Sequence, residues 1–136
     1  MPEIETNKEL SRYRLEKARE DLATAIENMD SDKLRAANNR AYYSIFHSMR
    51  SVLALDMFDS KKHSGIIAEF RRRYVKEGVF EPEISDMIES ASIVRNASDY
   101  DDMYVVSKVE TEEQIKNAGI VLEKVESYLR EKGVIA

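Results

Sequence analysis

The sequence predicts an all-α fold, an up-and-down helical bundle of four to five helices. Long stretches carry apolar residues at three- and four-residue steps, which is the mark of helices with one buried face. Chain breakers are scarce, with four glycines and two prolines in 136 residues. Charged side chains make up 35% of the chain and fill the outward positions of those stretches. An all-β domain would spend far more glycine and proline on turns. Two domains carved from this length would each have a marginal core, so a single domain over residues 1–136 is expected.

The first helix is read over residues 6–28, where Leu10, Tyr13, Leu15, Ala18, Leu22, Ala25 and Ile26 recur at helical steps between charges. Asp30 or Ser31 is the expected N-cap of the next segment, and the short link makes the two helices antiparallel. The second helix, about residues 32–57, has a wide apolar stripe through Leu34, Ala41, Tyr42, Ile45, Phe46, Met49, Val52 and Leu53. A stripe that wide belongs at the centre of a bundle. Its other side carries Arg40, Tyr43, His47 and Arg50, interleaved with the small residues Ala36, Ser44, Ser51 and Ala54 that allow another helix to approach. Residues 63–65 read as a turn into a third helix over 66–76, with Arg71, Arg72 and Arg73 outside and Gly78 ending it. Pro82 opens a fourth helix over about 83–100, with Ile84, Met87, Ile88, Ala91 and Val94 inward. Residues 103–109 have the composition of a strand but no ladder partner, and are read as an extended connector. Thr111 is the expected cap of the last helix and Gln114 its reciprocal partner; that helix ends near Gly133.

Composition and motifs remove several classes of function. No apolar run approaches the roughly 20 residues needed to cross a bilayer, so no membrane partner is expected. Cysteine is absent, which excludes disulfides and thiolate chemistry and favours a cytoplasmic location. The two histidines, His47 and His63, lie on different elements and complete no metal-ligand pattern, so neither a metal nor another cofactor is expected. No glycine loop cradles phosphates and no nucleophile elbow is present. Acidic residues outnumber basic ones, 26 to 21, for a formal charge of −5. That balance disfavours attraction of nucleic acid to the whole surface, while a local basic patch remains open.

Two polar constellations remain. Arg40, Tyr43, His47 and Arg50 share one face of the second helix, where a cation and an imidazole can hold a phosphate and move a proton. The alternative is structural, with His47 bonding a carboxylate across the bundle. The second constellation is the run Arg95-Asn96-Ala97-Ser98-Asp99-Tyr100. Arg95 and Asp99 stand one turn apart, as do Asn96 and Tyr100, so an ion pair and a hydrogen bond are each expected to close locally. The basic triplet from Arg71 to Arg73, beside Tyr74 and Lys76, reads either as a phosphate contact or as a solvated helix face. Tyr42 and Tyr43 read as core and interface residues rather than a platform for stacking bases.

Three stretches together carry a likeness to a known family: Asn39-Arg40-Ala41-Tyr42-Tyr43-Ser44-Ile45-Phe46-His47, Lys62-His63-Ser64-Gly65, and Arg95 through Tyr100. The chain resembles the HEPN (higher eukaryote and prokaryote nucleotide-binding) domains, most closely their small stand-alone archaeal and bacterial branch, over nearly its whole length. The resemblance implies a homodimeric bundle of four or five helices, often encoded beside a minimal nucleotidyltransferase as a toxin and antitoxin pair, with RNA or a nucleotide as ligand. Many relatives are metal-independent ribonucleases in which an arginine, frequently within Arg-Asn, is followed after four to six residues by a histidine near the dimer cleft. Arg95 and Asn96 match the start of that motif, but Tyr100 stands where the histidine would be. Tyrosine, with an ordinary pKa of about 10, is a poor base at neutral pH. Asp99, Asp101 and Asp102 beside it repel a phosphate backbone. The expectation is therefore a binding module with a degenerate catalytic motif, in which Asn96, Asp99, Tyr43, Arg50 and His63 contact the ligand. The alternatives are a ribonuclease toxin that cuts through Arg40 and His47 or through Arg95 and Tyr100, and a plain scaffold bundle.

Overall fold

A computed structural model describes residues 2–136. Five helices follow one another: α1 Pro2–Asp30, α2 Leu34–Leu53, α3 His63–Phe70, α4 Pro82–Tyr100 and α5 Lys108–Glu131, with no strand among the described residues. The all-α bundle read from periodicity is the fold observed.

The wide stripe on α2 places that helix at the centre, packed against α1, α3, α4 and α5. Ala41, Tyr42, Ile45, Phe46, Met49, Val52 and Leu53 are all buried. The second side of α2 is largely covered as well, because Ser44, Ser48 and Ser51 are small enough to admit α1. The Ser44 hydroxyl donates to the Ala18 carbonyl at 2.8 Å, which satisfies a polar group at a close helix contact. Ala36, also read as part of this small-residue side, is exposed. On α1 the seam is narrower than its spacing predicts. Leu15, Ala18 and Ala25 are buried, but Leu10, Tyr13 and Ile26 are exposed, since α1 packs mainly on α2, with smaller contacts to α5 and the turn after α2.

Local chemistry moves several boundaries. Neither Asp30 nor Ser31 caps α2; its N-cap is Lys33, with no side-chain bond, because Asp32 turns the chain with φ at 62°. Helix α2 ends at Leu53, four residues short of its expected end, and continues as a 3₁₀ turn over Ala54–Asp56 closed by Met57 in the left-handed region. Helix α3 begins at His63, not Ile66, and its last turn, Arg71–Val75, widens to π geometry. A methyl group at Gly65 would stand 2.4 Å from the Ser60 hydroxyl oxygen, so glycine there lets the preceding loop close against the start of α3. The cap of α5 is Ser107, whose hydroxyl accepts the Glu110 backbone N–H at 3.0 Å. Ser107 and Glu110 have the spacing of a capping box that lies ahead of the one read at Thr111. Thr111 and Gln114 fall inside the helix and hold it to its neighbours instead. The Thr111 hydroxyl accepts from Asn38 at 2.7 Å, and the Gln114 amide donates to Ser90 at 2.8 Å.

Gly78 follows the π turn with φ at +80°. Gly78→Ala is expected to cost about 1 kcal/mol of stability, because a Cβ is strained in that region. Urea unfolding of the two proteins checks it.

Candidate functional site

The two constellations read separately from the sequence meet around one tyrosine pair. Tyr42 is buried and Tyr43 half-buried on consecutive positions of α2, their rings edge to face at 5.3 Å. From α4, the Arg95 guanidinium carbon lies 4.8 Å from the centre of the Tyr42 ring and 5.3 Å from that of Tyr43. Its Nη2 donates to the Tyr43 hydroxyl at 3.2 Å. From α2 itself, Arg40 lies 5.0 Å from the centre of the same Tyr43 ring. A guanidinium resting on an aromatic ring is held in place while keeping N–H donors for an anion. His63, the first residue of α3, stacks on Phe46 at 4.1 Å and shares a 2.9 Å hydrogen bond through Nδ1 with the Tyr42 hydroxyl. Its Nε2 has no partner among the described residues and is not enclosed, so it meets solvent beside Arg95.

Burial sets the protonation of this face. It lowers the His63 pKa, helped by the positive charges of Arg95 and Arg50, so the imidazole is neutral at pH 7. Burial raises the Tyr42 pKa, against the opposing pull of Arg95. The phenol therefore stays protonated as a partner for His63.

His47 lies one turn along α2 in different surroundings. Its Nε2 is 3.9 Å from Asp21 of α1, and its Nδ1 is buried with no partner. Burial lowers its pKa to about 4, and the charges of Arg50, Lys17, Arg14 and Arg40 push the same way. With four cations against it the ring is neutral, so its approach to Asp21 is not an ion pair. Asp21 belongs to Arg40, at 3.0 Å, while burial raises its own pKa. A neutral ring in this seam packs against Tyr43 and Phe46 and is badly placed to take up a proton. Arg50 shares Asp59 with Arg14, at 3.1 and 3.2 Å, and lies 5.9 Å from the Phe46 ring.

Some predicted groupings do not form. The Arg95 to Asp99 pair closes loosely, at 3.6 Å. Asn96 and Tyr100 make no hydrogen bond to each other, and Tyr100 is 81% exposed at the end of α4. Tyr100 makes no hydrogen bond or ring contact among the described residues with the tyrosine pair that holds Arg95. The arginine triplet is taken up internally: Arg71 pairs with Glu89, Arg72 with Glu69, and Arg73 with Glu69 and Asp56. No group of three or more metal-ligating side chains occurs among the described residues. No helix among them is long and apolar enough to cross a membrane.

Sequence reasoning missed Tyr42, Phe46, Asp21 and Arg14 as parts of this region. Tyr42 and Phe46 carry the pattern of core residues, and they are core. Their rings line the site only because His63 and Arg95 arrive there from other helices. Asp21 could have been noticed as a carboxylate set between the inward positions Ala18 and Leu22 of α1.

Comparison with known proteins agrees with this architecture. The HEPN domain family matches residues 11–128. A protein of Methanocaldococcus jannaschii named "Putative toxin MJ0142" is 29% identical over 133 residues, covering 98% of this chain and 90% of that protein. A "UPF0332 protein" of Thermotoga maritima is 27% identical over 119 residues, covering 88% of this chain and 90% of that protein. Among solved structures, the fold is similar to that of TT1696 from Thermus thermophilus, with a TM-score of 0.74 at 17% identity over 86% of this chain and 96% of that one. A bundle centred on α2, with an arginine and a histidine gathered at its tyrosine pair and a family match over most of its length, leads to one conclusion: this chain belongs to the HEPN domain family.

Proposed function

We propose that this chain is a toxin-like HEPN module that binds a phosphate-bearing ligand, RNA or a nucleotide, on the face formed by Arg40, Tyr43, His63 and Arg95. It acts in the cytoplasm as a homodimer, with a minimal nucleotidyltransferase as its partner protein. One observation carries the ligand reading: two guanidiniums from different helices rest on the single ring of Tyr43, beside an imidazole whose Nε2 is open to solvent. Charged donors held in fixed positions are what recognition of phosphate requires. The toxin reading is supported by relatives that carry the word toxin in their names.

The expected result is RNA binding that weakens steeply between 50 and 200 mM salt, roughly as counterion release from a few phosphates requires. No cleavage is expected in EDTA. A salt-independent interaction, or no binding of RNA or nucleotides at low salt, would count against the proposal. A second reading, metal-independent RNA cleavage, is favoured by His63, a neutral imidazole beside Arg95 with one nitrogen free. Cleavage in EDTA that disappears in His63→Gln and persists in Tyr100→Phe would establish that second reading in place of the first.

A further inference from the structure

The strand-like stretch between α4 and α5 stays unpaired in the folded chain. Met103, Val105 and Val109 are 87%, 85% and 77% exposed, and Tyr100 stands beside them at the end of α4. Large apolar side chains in one continuous stretch are costly to leave in water unless something covers them.

The segment has a defined shape. The Arg35 guanidinium donates to the carbonyls of Ser98 and Tyr104, which ties the end of α4 and the connector to α2. The Tyr104 N–H donates to the Asp101 carbonyl, and the Met103 N–H to the Asp101 carboxylate. Val106 is buried and Ser107 caps α5. Between these anchors the side chains alternate as in a strand, Met103 and Val105 outward, Tyr104 and Val106 toward the bundle. The backbone of Val105 makes no hydrogen bond among the described residues, so it offers a free edge.

Acidic groups outnumber basic ones around this edge. Residues 99–113 hold six acidic side chains, Asp99, Asp101, Asp102, Glu110, Glu112 and Glu113, against Lys108 within the segment, Arg35 bonded to its backbone and Arg95 paired with Asp99. We propose that this segment is the docking strip for an extended segment of another protein that is both basic and apolar. The incoming backbone pairs with the free edge at Val105. Its apolar side chains cover Met103, Val105 and Val109, and its lysines or arginines meet the acidic rim. A second copy of this chain is the poorer occupant, because it would bring the same acidic strip to the contact. The proposal is independent of the ligand reading, although the strip borders the anion face through Arg95 and Asp99.

The test titrates the isotopically labelled full chain with a short peptide of alternating lysine and valine, and with a lysine–glycine control of equal charge. The expected result is that the lysine–valine peptide shifts the amide signals of residues 103–107 and slows exchange of the Val105 amide. The control should bind about tenfold more weakly. Met103→Ser with Val105→Ser, both exposed, should weaken the lysine–valine peptide by about the same factor. Asp101→Asn with Asp102→Asn provides an independent variant with the same expected direction. Equal binding of the two peptides, undiminished binding to both variants, or shifts mapping elsewhere on the chain overturns the proposal. So does concentration-dependent self-association through these same amides in the absence of peptide.

Discussion

Arg40→Ala combined with Arg95→Ala is expected to weaken RNA or nucleotide binding by about two orders of magnitude or more. Each guanidinium lost from a phosphate removes charge-assisted hydrogen bonds of about 1.5–3 kcal/mol, and two such losses reach that range. Arg95→Lys is expected to fall in between. An ammonium keeps the charge, but it lacks the planar fork that lies on the rings of Tyr42 and Tyr43. Some loss of stability accompanies the double variant, since Asp21, half-buried in the α1–α2 seam, loses its 3.0 Å partner. Fluorescence anisotropy with labelled RNA, read beside the melting temperature, separates the two effects. A double variant that melts normally and binds within about threefold of the parent would mean that the face does not hold the ligand.

Acidification from pH 6.5 toward 4 is expected to remove about 2–3 kcal/mol of folding stability through His47. Its folded pKa, about 4, lies below the ordinary 6.5, so in this window the unfolded chain binds the proton that the folded chain refuses. Stability is therefore full above the unfolded value and is lost as pH falls through the folded one. His63, also lowered by burial, contributes in the same direction. Asp21 works the other way near the bottom of the window, because its raised pKa makes the folded chain take up a proton more readily than the unfolded one. His47→Gln, which cannot be charged, should flatten the dependence. Urea unfolding at pH 7, 5.5 and 4.5 measures it. A variant with the same slope as the parent would place the titration on another residue.

The residues that the sequence read correctly are those whose role follows from local spacing. The apolar stripe of α2 marked the central helix, the serines on its far side marked a close helix contact, and Pro82 and Gly78 marked a start and a stop. Boundaries failed where two local signals competed. At α5 both Ser107 and Thr111 carry capping patterns, and the earlier one nucleates the helix because its hydroxyl reaches the Glu110 N–H. Among the candidate site residues, Arg40, Tyr43, His63 and Arg95 come together. Asn96 and Tyr100, chosen for their place in a motif, stand apart.

By itself the sequence determined that this chain makes helices and which of them lies at the centre. Helical periodicity and residue type are local properties, readable along the chain. Only the tertiary structure decided that the imidazole sharing Tyr42 with Arg95 belongs to His63 on α3, while His47 sits neutral in the seam with α1. That outcome depends on how α1, α3 and α4 dock onto α2. Burial and the sum of nearby charges then set each ring's protonation, and no spacing along a single helix encodes either quantity.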